Sequence, residues 1–313
     1  MSADRPRVDA TKRAHAAGKR ALVLGGGGST GNAWLIGVIA GLSDAGLDVT
    51  TADLIIGTSA GSTTAAQITG AAPAELFAAT VAAAHQQRRG PGGPGGSGGG
   101  GGPSRPVADH LERIGKIIAS AEDMADLRRR MGAAALEMDA GADSSWQSQW
   151  RATVAARLPS QDWPQRTVLI TAVDAQTGEP VVFDRHSGVD LADAVAASCS
   201  SGRPYRIGDD LYIDGGYRSN AENADLAAGY ARVLVLSPFG GRTLVPLDWG
   251  MHLAAQVDEL RAGGSSVEPI FPDSHSEHMF GANAMDPSLR APAAQAGYDQ
   301  GRALAGQLTA FWR

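Results

Sequence analysis

The feature that most constrains the fold is a pattern of apolar run, glycine-rich turn and helix that occurs twice near the start of the chain. In the first copy, the apolar residues 21–24 end at four glycines, 25–28, and apolar residues then recur at helical spacing. In the second copy, the strand candidate 53–56 ends at the turn 57–61, which opens another helical pattern. Parallel strands produce this alternation, because a helix has to return the chain between them. The sequence therefore predicts an α/β protein whose parallel sheet is covered by helices on both faces.

Composition divides the rest of the chain into an arm, one large domain and two inserted segments. Residues 1–19 are polar and predict a flexible N-terminal arm, whereas residues 20–313 are expected to form the domain. Within that domain, residues 90–103 are almost entirely Gly, Pro and Ser, which predicts a disordered linker. Residues from about 107 to 157 carry helical patterning with polar faces, which predicts a helical cap inserted into the domain.

Later elements are predicted from short apolar runs and from helical spacing. Strands are expected at 167–173, 181–183, 211–213 and 232–236, and helices at 191–198, 249–261 and 287–311. The sequence shows no repeat at the periods of solenoid proteins, so these elements are expected to belong to one domain.

Composition and charge exclude several classes of protein. Hydrophobic residues make up 43% of the chain, which is too much for an overall disordered protein. The net charge of −6 comes from mixed acidic and basic residues without a basic stripe, which argues against a nucleic-acid partner. The single cysteine, Cys199, excludes an internal disulfide framework. No signal peptide or membrane-spanning run is visible, so we expect a soluble, cytoplasmic protein for which peripheral membrane contact stays open.

The turn Gly57-Thr58-Ser59-Ala60-Gly61 follows a strand candidate and precedes a helix. This is the context of a nucleophile elbow, in which a strained turn exposes a central serine and needs small residues around it. The helix N-terminus behind such a serine stabilises developing negative charge. Ser59 is therefore the candidate nucleophile, and Gly57 and Gly61 are expected to give the turn its clearance. The alternative is an ordinary strand–helix turn.

The earlier glycine turn has two interpretations. Glycines at 26, 27 and 28 would let backbone N–H groups approach a tetrahedral oxyanion, so Gly26, Gly27 and Gly28 are candidate oxyanion donors. The run from Gly26 to Gly31 also satisfies the G-x-G-x-x-G fingerprint of dinucleotide-binding proteins. That fingerprint requires an acidic residue at the end of the next strand, but Asp53 precedes the strand. A Rossmann-type nucleotide-binding protein nevertheless remains an alternative.

A third turn, Asp214-Gly215-Gly216, follows the strand candidate 211–213 and can direct a carboxylate into a crevice. An ordinary aspartate has a pKa near 3.9 and is a weak base for an alcohol, so Asp214 would need burial and direct contact with the serine. A histidine triad is the other possibility. Three histidines lie in the chain order that it requires: His252, His275 and His278.

With these three motifs in order, the chain resembles the patatin-like phospholipase family over roughly residues 20–300. The shared features are the loop 26–31, the Ser59 elbow, the Asp214 turn with Gly215 and Gly216, and the segment Ala194–Cys199. The resemblance implies a mainly parallel central sheet flanked by helices, a Ser59–Asp214 dyad without histidine, and no metal or organic cofactor. It also implies that Gly26, Gly27, Gly28 and Gly31 build the oxyanion loop.

One departure from the family concerns charge. The family usually has an arginine where this chain has Thr30, and that cation is associated with the oxyanion loop or with a phosphate. Arg203 or Arg206, which follow the segment 194–199, could supply the missing charge, although two solvated arginines are the simpler interpretation. Thr30 therefore makes acyl-ester hydrolysis a firmer expectation than a preference for phospholipids.

Together these observations predict a serine hydrolase of the phospholipase A or lysophospholipase type, acting on a lipid acyl-ester substrate. Ser59 would attack the acyl carbonyl, and Asp214 would accept its proton. Two alternatives remain, the nucleotide-binding protein described above and a catalytically silent lipid-binding protein on the same fold.

Overall fold

The computed structural model describes residues 16–89, 105–140 and 145–313, and all of its strands belong to one eight-stranded sheet. The predicted linker 90–103 and the first fifteen residues lie outside the described residues. The strands are β1 Ala16–Leu24, β2 Leu54–Gly57, β3 Thr167–Asp174, β4 Pro180–Phe183, β5 Tyr205–Ile207, β6 Asp210–Asp214, β7 Tyr230–Leu236 and β8 Ser266–Ile270. The helices are α1 Gly28–Asp44, α2 Ala60–Gly70, α3 Pro73–Arg89, α4 Arg105–Ser120, α5 Met124–Asp139, α6 Ser145–Ala155, α7 Leu191–Ser198, α8 Leu253–Ala262 and α9 Arg290–Trp312.

The sheet has a parallel centre and an antiparallel side. Its strand order is β5-β6-β3-β2-β1-β7-β8, and β4 also pairs with β3. The five strands β3, β2, β1, β7 and β8 run parallel to one another. Strands β4 and β6 run antiparallel to β3, and β5 runs antiparallel to β6. The central strands are buried on both faces, as expected of a sheet covered by helices. The prediction of an α/β fold with a mainly parallel, helix-flanked sheet is confirmed.

The first strand begins earlier than the sequence predicts. Ala16 pairs with Tyr230 of β7, so residues 16–19 belong to β1 rather than to the predicted arm 1–19. An irregularity in the pairing lies between Ala16 and Arg20, where Gly18 has a φ of +82°. Strand pairing uses main-chain groups, so polar residues such as Lys19 extend the strand without an apolar signal. The sequence patterns also did not predict α3, β5 and β8.

The helices α1 and α9 pack unusually closely, and this contact places the start of α9 beside the start of α1. A Cβ at Gly37 would lie 2.1 Å from the carbonyl oxygen of Ala294, and one at Gly301 would lie 2.3 Å from that of Val38. Glycine therefore permits the backbones to touch at these positions. Along this contact, residues later in α1 lie against residues later in α9, so the two helices run parallel.

Three helices, α4 to α6, occupy the stretch predicted as a helical cap at about 107–157. Side chains of α4 and α5, among them Ile114 and Met131, pack with Val173 of β3 and with Leu211 and Ile213 of β6. The two helices thus cover the antiparallel side of the sheet beside Asp214. None of the helices in the described ranges is long and apolar enough to cross a membrane.

Candidate active site

Ser59 lies in a strained turn between β2 and α2. Its φ is 51° and its ψ is −116°, a conformation that side-chain-bearing residues rarely adopt. A Cβ at Gly57 would lie 2.6 Å from the Cα of Ser62, and one at Gly61 would lie 1.9 Å from the carbonyl oxygen of Leu24. The two glycines therefore allow the turn to close against its own helix and against the end of β1. This geometry is that of a nucleophile elbow.

Asp214 contacts the serine directly. The Ser59 hydroxyl donates a hydrogen bond of 2.8 Å to Oδ2 of Asp214, and the Gly216 amide donates one of 2.8 Å to Oδ1. Asp214 is only 6% exposed. Burial raises its pKa to about 6, although the hydrogen bonds from Gly216 and Ser59 oppose that rise. The carboxylate is thus a stronger base than an ordinary aspartate and lies in contact with the proton it would accept.

Strand register explains why Asp214 meets Ser59. Gly57, at the end of β2, pairs with Ile170 of β3, and Asp214 pairs with Ala172 of the same strand. The antiparallel strand β6 therefore ends beside the elbow. The Asp214 turn follows a strand, as the sequence predicts, and that strand is antiparallel to β3.

The three candidate histidines do not contact the dyad. His252 precedes α8, and its Nδ1 is buried without a hydrogen-bond partner in the described ranges, whereas His275 and His278 are exposed between β8 and α9. Within the described residues, no histidine is hydrogen-bonded to Ser59 or Asp214. The geometry pairs the serine with the aspartate.

The glycine loop lies beside Ser59, since a Cβ at Gly26 would lie 3.5 Å from the Cβ of Ser59. The Gly26 amide already donates to the carbonyl oxygen of Ala221 at 2.8 Å, so it is not available to an oxyanion. The amides of Gly27 and Gly28 have no acceptor in the part of the chain that the structure describes. The expected set of three oxyanion donors is therefore reduced to these two.

The remaining glycine of the loop, Gly31, serves the loop's shape. Its amide donates to the carbonyl oxygen of Gly27 at 2.9 Å. A Cβ at Gly31 would lie 3.1 Å from a side-chain carbon of Pro238, which also lies against Gly27. Gly31 is thus the point where α1 packs closely against the loop that follows β7.

The same loop fits a dinucleotide poorly. The amide of Thr30 donates to the carbonyl oxygen of Ala284, and a Cβ at Gly28 would lie 2.8 Å from that oxygen and 3.0 Å from the sulfur of Met285. The chain itself therefore covers part of the helix N-terminus that a pyrophosphate would need. Asp53 lies at the start of β2, where its carboxylate accepts a hydrogen bond from the Arg20 amide. The structure thus lacks the acidic residue that the dinucleotide fingerprint requires at the strand end.

A family model described as patatin-like phospholipase matches residues 22–226, which contain the glycine loop, the elbow and the Asp214 turn. The chain belongs to the patatin-like phospholipase family. Membership supports a lipid acyl hydrolase. Comparison with curated proteins gave no match.

Two solved structures resemble this patatin-like protein over 92% of its chain. VipD from Legionella pneumophila shares 13% identity, with a TM-score of 0.40 and 67% of its own chain covered. The type III effector protein ExoU shares 14% identity with a TM-score of 0.37, and the patatin-like chain covers about half of it, 53%.

Several residues of this patatin-like site were missed by sequence reasoning. Asn223 has a left-handed φ of 55°, and its Nδ2 donates at 3.0 Å both to Oγ1 of Thr58 and to the carbonyl oxygen of Gly215. It thereby joins the elbow to the aspartate turn. No local signal marks Asn223, because its partners are remote in sequence.

The segment 194–199 of this patatin-like protein also contacts Ser59. The amide of Ser59 donates to Oγ of Ser198 at 2.9 Å, and the thiol of Cys199 donates to the Ser59 carbonyl oxygen at 3.1 Å. Burial raises the pKa of Cys199 to about 11, so this thiol stays protonated and acts as a donor. The resemblance of this segment to the family was the signal that could have identified both residues.

Neither arginine suggested as a substitute for the missing cation contacts the glycine loop. The guanidinium of Arg203 lies over the ring of Trp146, and the backbone of Arg206 is hydrogen-bonded to the side chain of Gln147. Both contacts place these arginines against α6. A different arginine, Arg290, binds the loop.

Among the described residues, no group of His, Cys, Asp or Glu side chains could hold a metal ion.

Proposed function

We propose that the protein hydrolyses lipid acyl esters of the phospholipase A or lysophospholipase type, with Ser59 as nucleophile and Asp214 as base. The observation that carries the proposal is the 2.8 Å hydrogen bond from the Ser59 hydroxyl to a buried carboxylate. The strained turn at Ser59 and the free amides of the neighbouring glycine loop support it.

In the first step, Asp214 accepts the hydroxyl proton while Ser59 Oγ bonds to the acyl carbon. The carbonyl oxygen becomes an oxyanion, which the amides of Gly27 and Gly28 would stabilise. A donor of this type is worth about 2.7–4 kcal/mol when it is removed from a hydrolase. The tetrahedral intermediate then breaks its bond to the alcohol, which leaves with the proton held by Asp214.

In the second step, a water molecule replaces the alcohol. Asp214 accepts a proton from the water, the resulting hydroxide attacks the acyl carbon, and the ester bond to Ser59 breaks. Ser59 regains its proton, and a fatty acid is released. A carboxylate whose pKa is raised to about 6 is ionised near neutral pH and still more basic than an exposed aspartate.

A small cavity near the Asp214 turn is a candidate site for part of the substrate's acyl chain. It lies between α4, α5 and the end of β6, and its wall includes Ile213 and Tyr217, on either side of the Asp214 turn. Ile114, Met131 and Met138 supply apolar parts of the remaining wall, and His110, Arg113 and Ser201 supply polar parts. Its volume of about 20 Å³ holds little more than one water molecule, so an acyl chain would enter only if the flexible side chains of Met131 and Met138 moved aside.

Peripheral contact with a lipid surface is also part of the proposal. The most exposed large hydrophobic side chains in the described ranges are Leu244, Leu247 and Met285, at 69%, 64% and 62% exposure. They lie on segments that follow β7 and β8, and Met285 contacts the glycine loop. Replacing Leu244 and Leu247 together by serine should reduce co-sedimentation with phosphatidylcholine vesicles while hydrolysis of a soluble ester is retained. Unchanged co-sedimentation would argue against this contact.

A fluorophosphonate probe tests the enzyme against the catalytically silent alternative. We expect labelling of the wild type, no labelling of Ser59→Ala, and wild-type labelling of Ser148→Ala, whose hydroxyl lies on the exposed face of α6. Hydrolysis of p-nitrophenyl esters, then of phospholipids, lysophospholipids and neutral glycerides, would identify the substrate. A folded wild-type protein that neither labels nor hydrolyses these esters would refute the proposal.

A further inference from the structure

Arg290, the first residue of α9, binds the end of the glycine loop. Its Nη1 donates to the carbonyl oxygen of Ser29 at 2.7 Å and to Oγ of Ser29 at 3.1 Å. Its Nη2 donates to Oδ1 of Asn32 at 3.1 Å. Ser29 directly follows Gly28, whose amide is free for an oxyanion.

The guanidinium has no acidic partner. Within the residues that the structure describes, no carboxylate forms an ion pair or hydrogen bond with Arg290. Burial lowers its pKa, and the neighbouring charge of Arg157 lowers it further, yet an arginine stays protonated at neutral pH. Placing a charge in a half-buried site without a counter-charge costs free energy. An ion pair therefore does not explain why an arginine occupies this position.

The packing of α9 on α1 explains how Arg290 reaches the loop. The helices run parallel with their backbones in contact, so the beginning of α9 is held beside the first turn of α1. The indole of Trp34 also donates a hydrogen bond to the side chain of Gln300, which opposes sliding of the two helices along each other. The guanidinium is thus delivered to Ser29 by a rigid pair of helices.

The contacts of Arg290 extend to the elbow. Asn32, which accepts from Arg290, donates through its Nδ2 to Oγ1 of Thr64 and to Oε1 of Gln67, both at 2.9 Å. Thr64 and Gln67 lie on α2, the helix that begins immediately after Ser59. One guanidinium therefore connects the loop with the free amides to the helix behind the nucleophile. The hydroxyl of Thr30 makes no such connection, because it is buried without a hydrogen-bond partner among the residues that the structure describes.

We propose that Arg290 is the positioning residue of the oxyanion loop, which it holds at the distance from Ser59 that oxyanion stabilisation requires. This inference rests on the proposed function. Arg290 lies outside residues 22–226, so the family match does not contain it. A planar guanidinium can donate to the carbonyl and hydroxyl of Ser29 and to Asn32 at once, whereas an ammonium group cannot reproduce that geometry.

The test compares Arg290→Met and Arg290→Lys with Arg302→Met. Arg302 lies on the same helix, is exposed, and pairs with Asp44 at the opposite end of α1. Arg302→Met therefore also removes an arginine that connects α9 to α1, but far from the glycine loop, which makes it a matched control. Each kcat is measured on a soluble p-nitrophenyl ester and divided by the number of sites that a fluorophosphonate probe finally labels. That division removes the effect of any misfolded fraction.

In Arg290→Met, we expect kcat per labelled site to fall on the order of 100-fold while KM changes little. The reason is that a displacement of the catalytic groups by about 1 Å can lower the rate by that factor. Arg290→Lys should recover only part of the loss, and added guanidinium should raise the rate of Arg290→Met but not that of Ser59→Ala. The acid limb of the pH profile should stay where it is in the wild type, since Asp214 is untouched.

Equal kcat per labelled site in Arg290→Met and the wild type would overturn the inference, as would an equal loss in Arg302→Met. If Arg290→Met yields no folded protein, the same comparison applies to Arg290→Lys. A wild type that does not label at all would instead overturn the proposed function, and this inference with it.

Discussion

Lowering the pH should inactivate the enzyme through Asp214. In the proposed mechanism, the carboxyl must be ionised to accept the serine proton, and its pKa is raised to about 6 because it is buried. Below that value, kcat/KM should fall about tenfold for each pH unit, so that about a tenth of the maximal value remains at pH 5. An aspartate with its ordinary pKa of about 3.9 would still be more than about 90% ionised at pH 5. The two cases thus differ by about tenfold at a pH where many proteins remain folded.

The assay is the pH dependence of kcat/KM on a soluble ester, with the released alcohol quantified chromatographically and folding checked by circular dichroism at each pH. A histidine base would titrate in the same range, so two controls are needed. The fall of kcat/KM at low pH should persist in His252→Ala. The pH at its midpoint should shift little with temperature, since carboxyl ionisation depends on temperature far less than imidazole ionisation does. A profile that stays flat down to pH 4.5 would refute the reasoning. Activity retained in Asp214→Asn but lost in a histidine variant would refute it as well.

Two further predictions concern a buried carboxyl and the small cavity near the Asp214 turn. Glu222 is 1% exposed beside Ser237, and burial raises its pKa to about 7, above the value of 4.5 expected in the unfolded chain. Its stabilising contribution is therefore complete below pH 4.5 and is lost as the pH rises through about 7. Between pH 5 and pH 8, the free energy of unfolding of the wild type, measured in urea, should fall by up to about 3 kcal/mol relative to that of Glu222→Gln. Free energies of unfolding that change equally with pH in the two proteins would contradict this. Met131→Trp should fill the cavity and move the preference among p-nitrophenyl esters towards shorter acyl chains, and an equal change at every chain length would contradict the assignment of the cavity.

Local steric rules made much of the site predictable from the sequence. An elbow needs small residues around its serine, and a close backbone approach needs glycine, so the pattern of Gly57, Ser59 and Gly61 indicated both a turn and a candidate nucleophile. Alternating strands and helices indicated the parallel centre of the sheet. The Asp214 turn was recognised as a candidate by its position after a strand. These inferences depend on neighbours in the chain, and neighbours are visible in a sequence.

Contacts between remote segments were decided only by the tertiary structure. The antiparallel register of β6 on β3 brings Asp214 to Ser59, and none of the histidines in the described ranges is hydrogen-bonded to either residue. The carbonyl oxygen of Ala221 accepts from the Gly26 amide, whereas the amides of Gly27 and Gly28 have no acceptor among the described residues. Asn223 and Arg290 reach the site across long separations in sequence, through side-chain hydrogen bonds that no local pattern encodes. Short-range sterics are written into adjacent residues, whereas strand register and helix packing arise only when the whole core assembles.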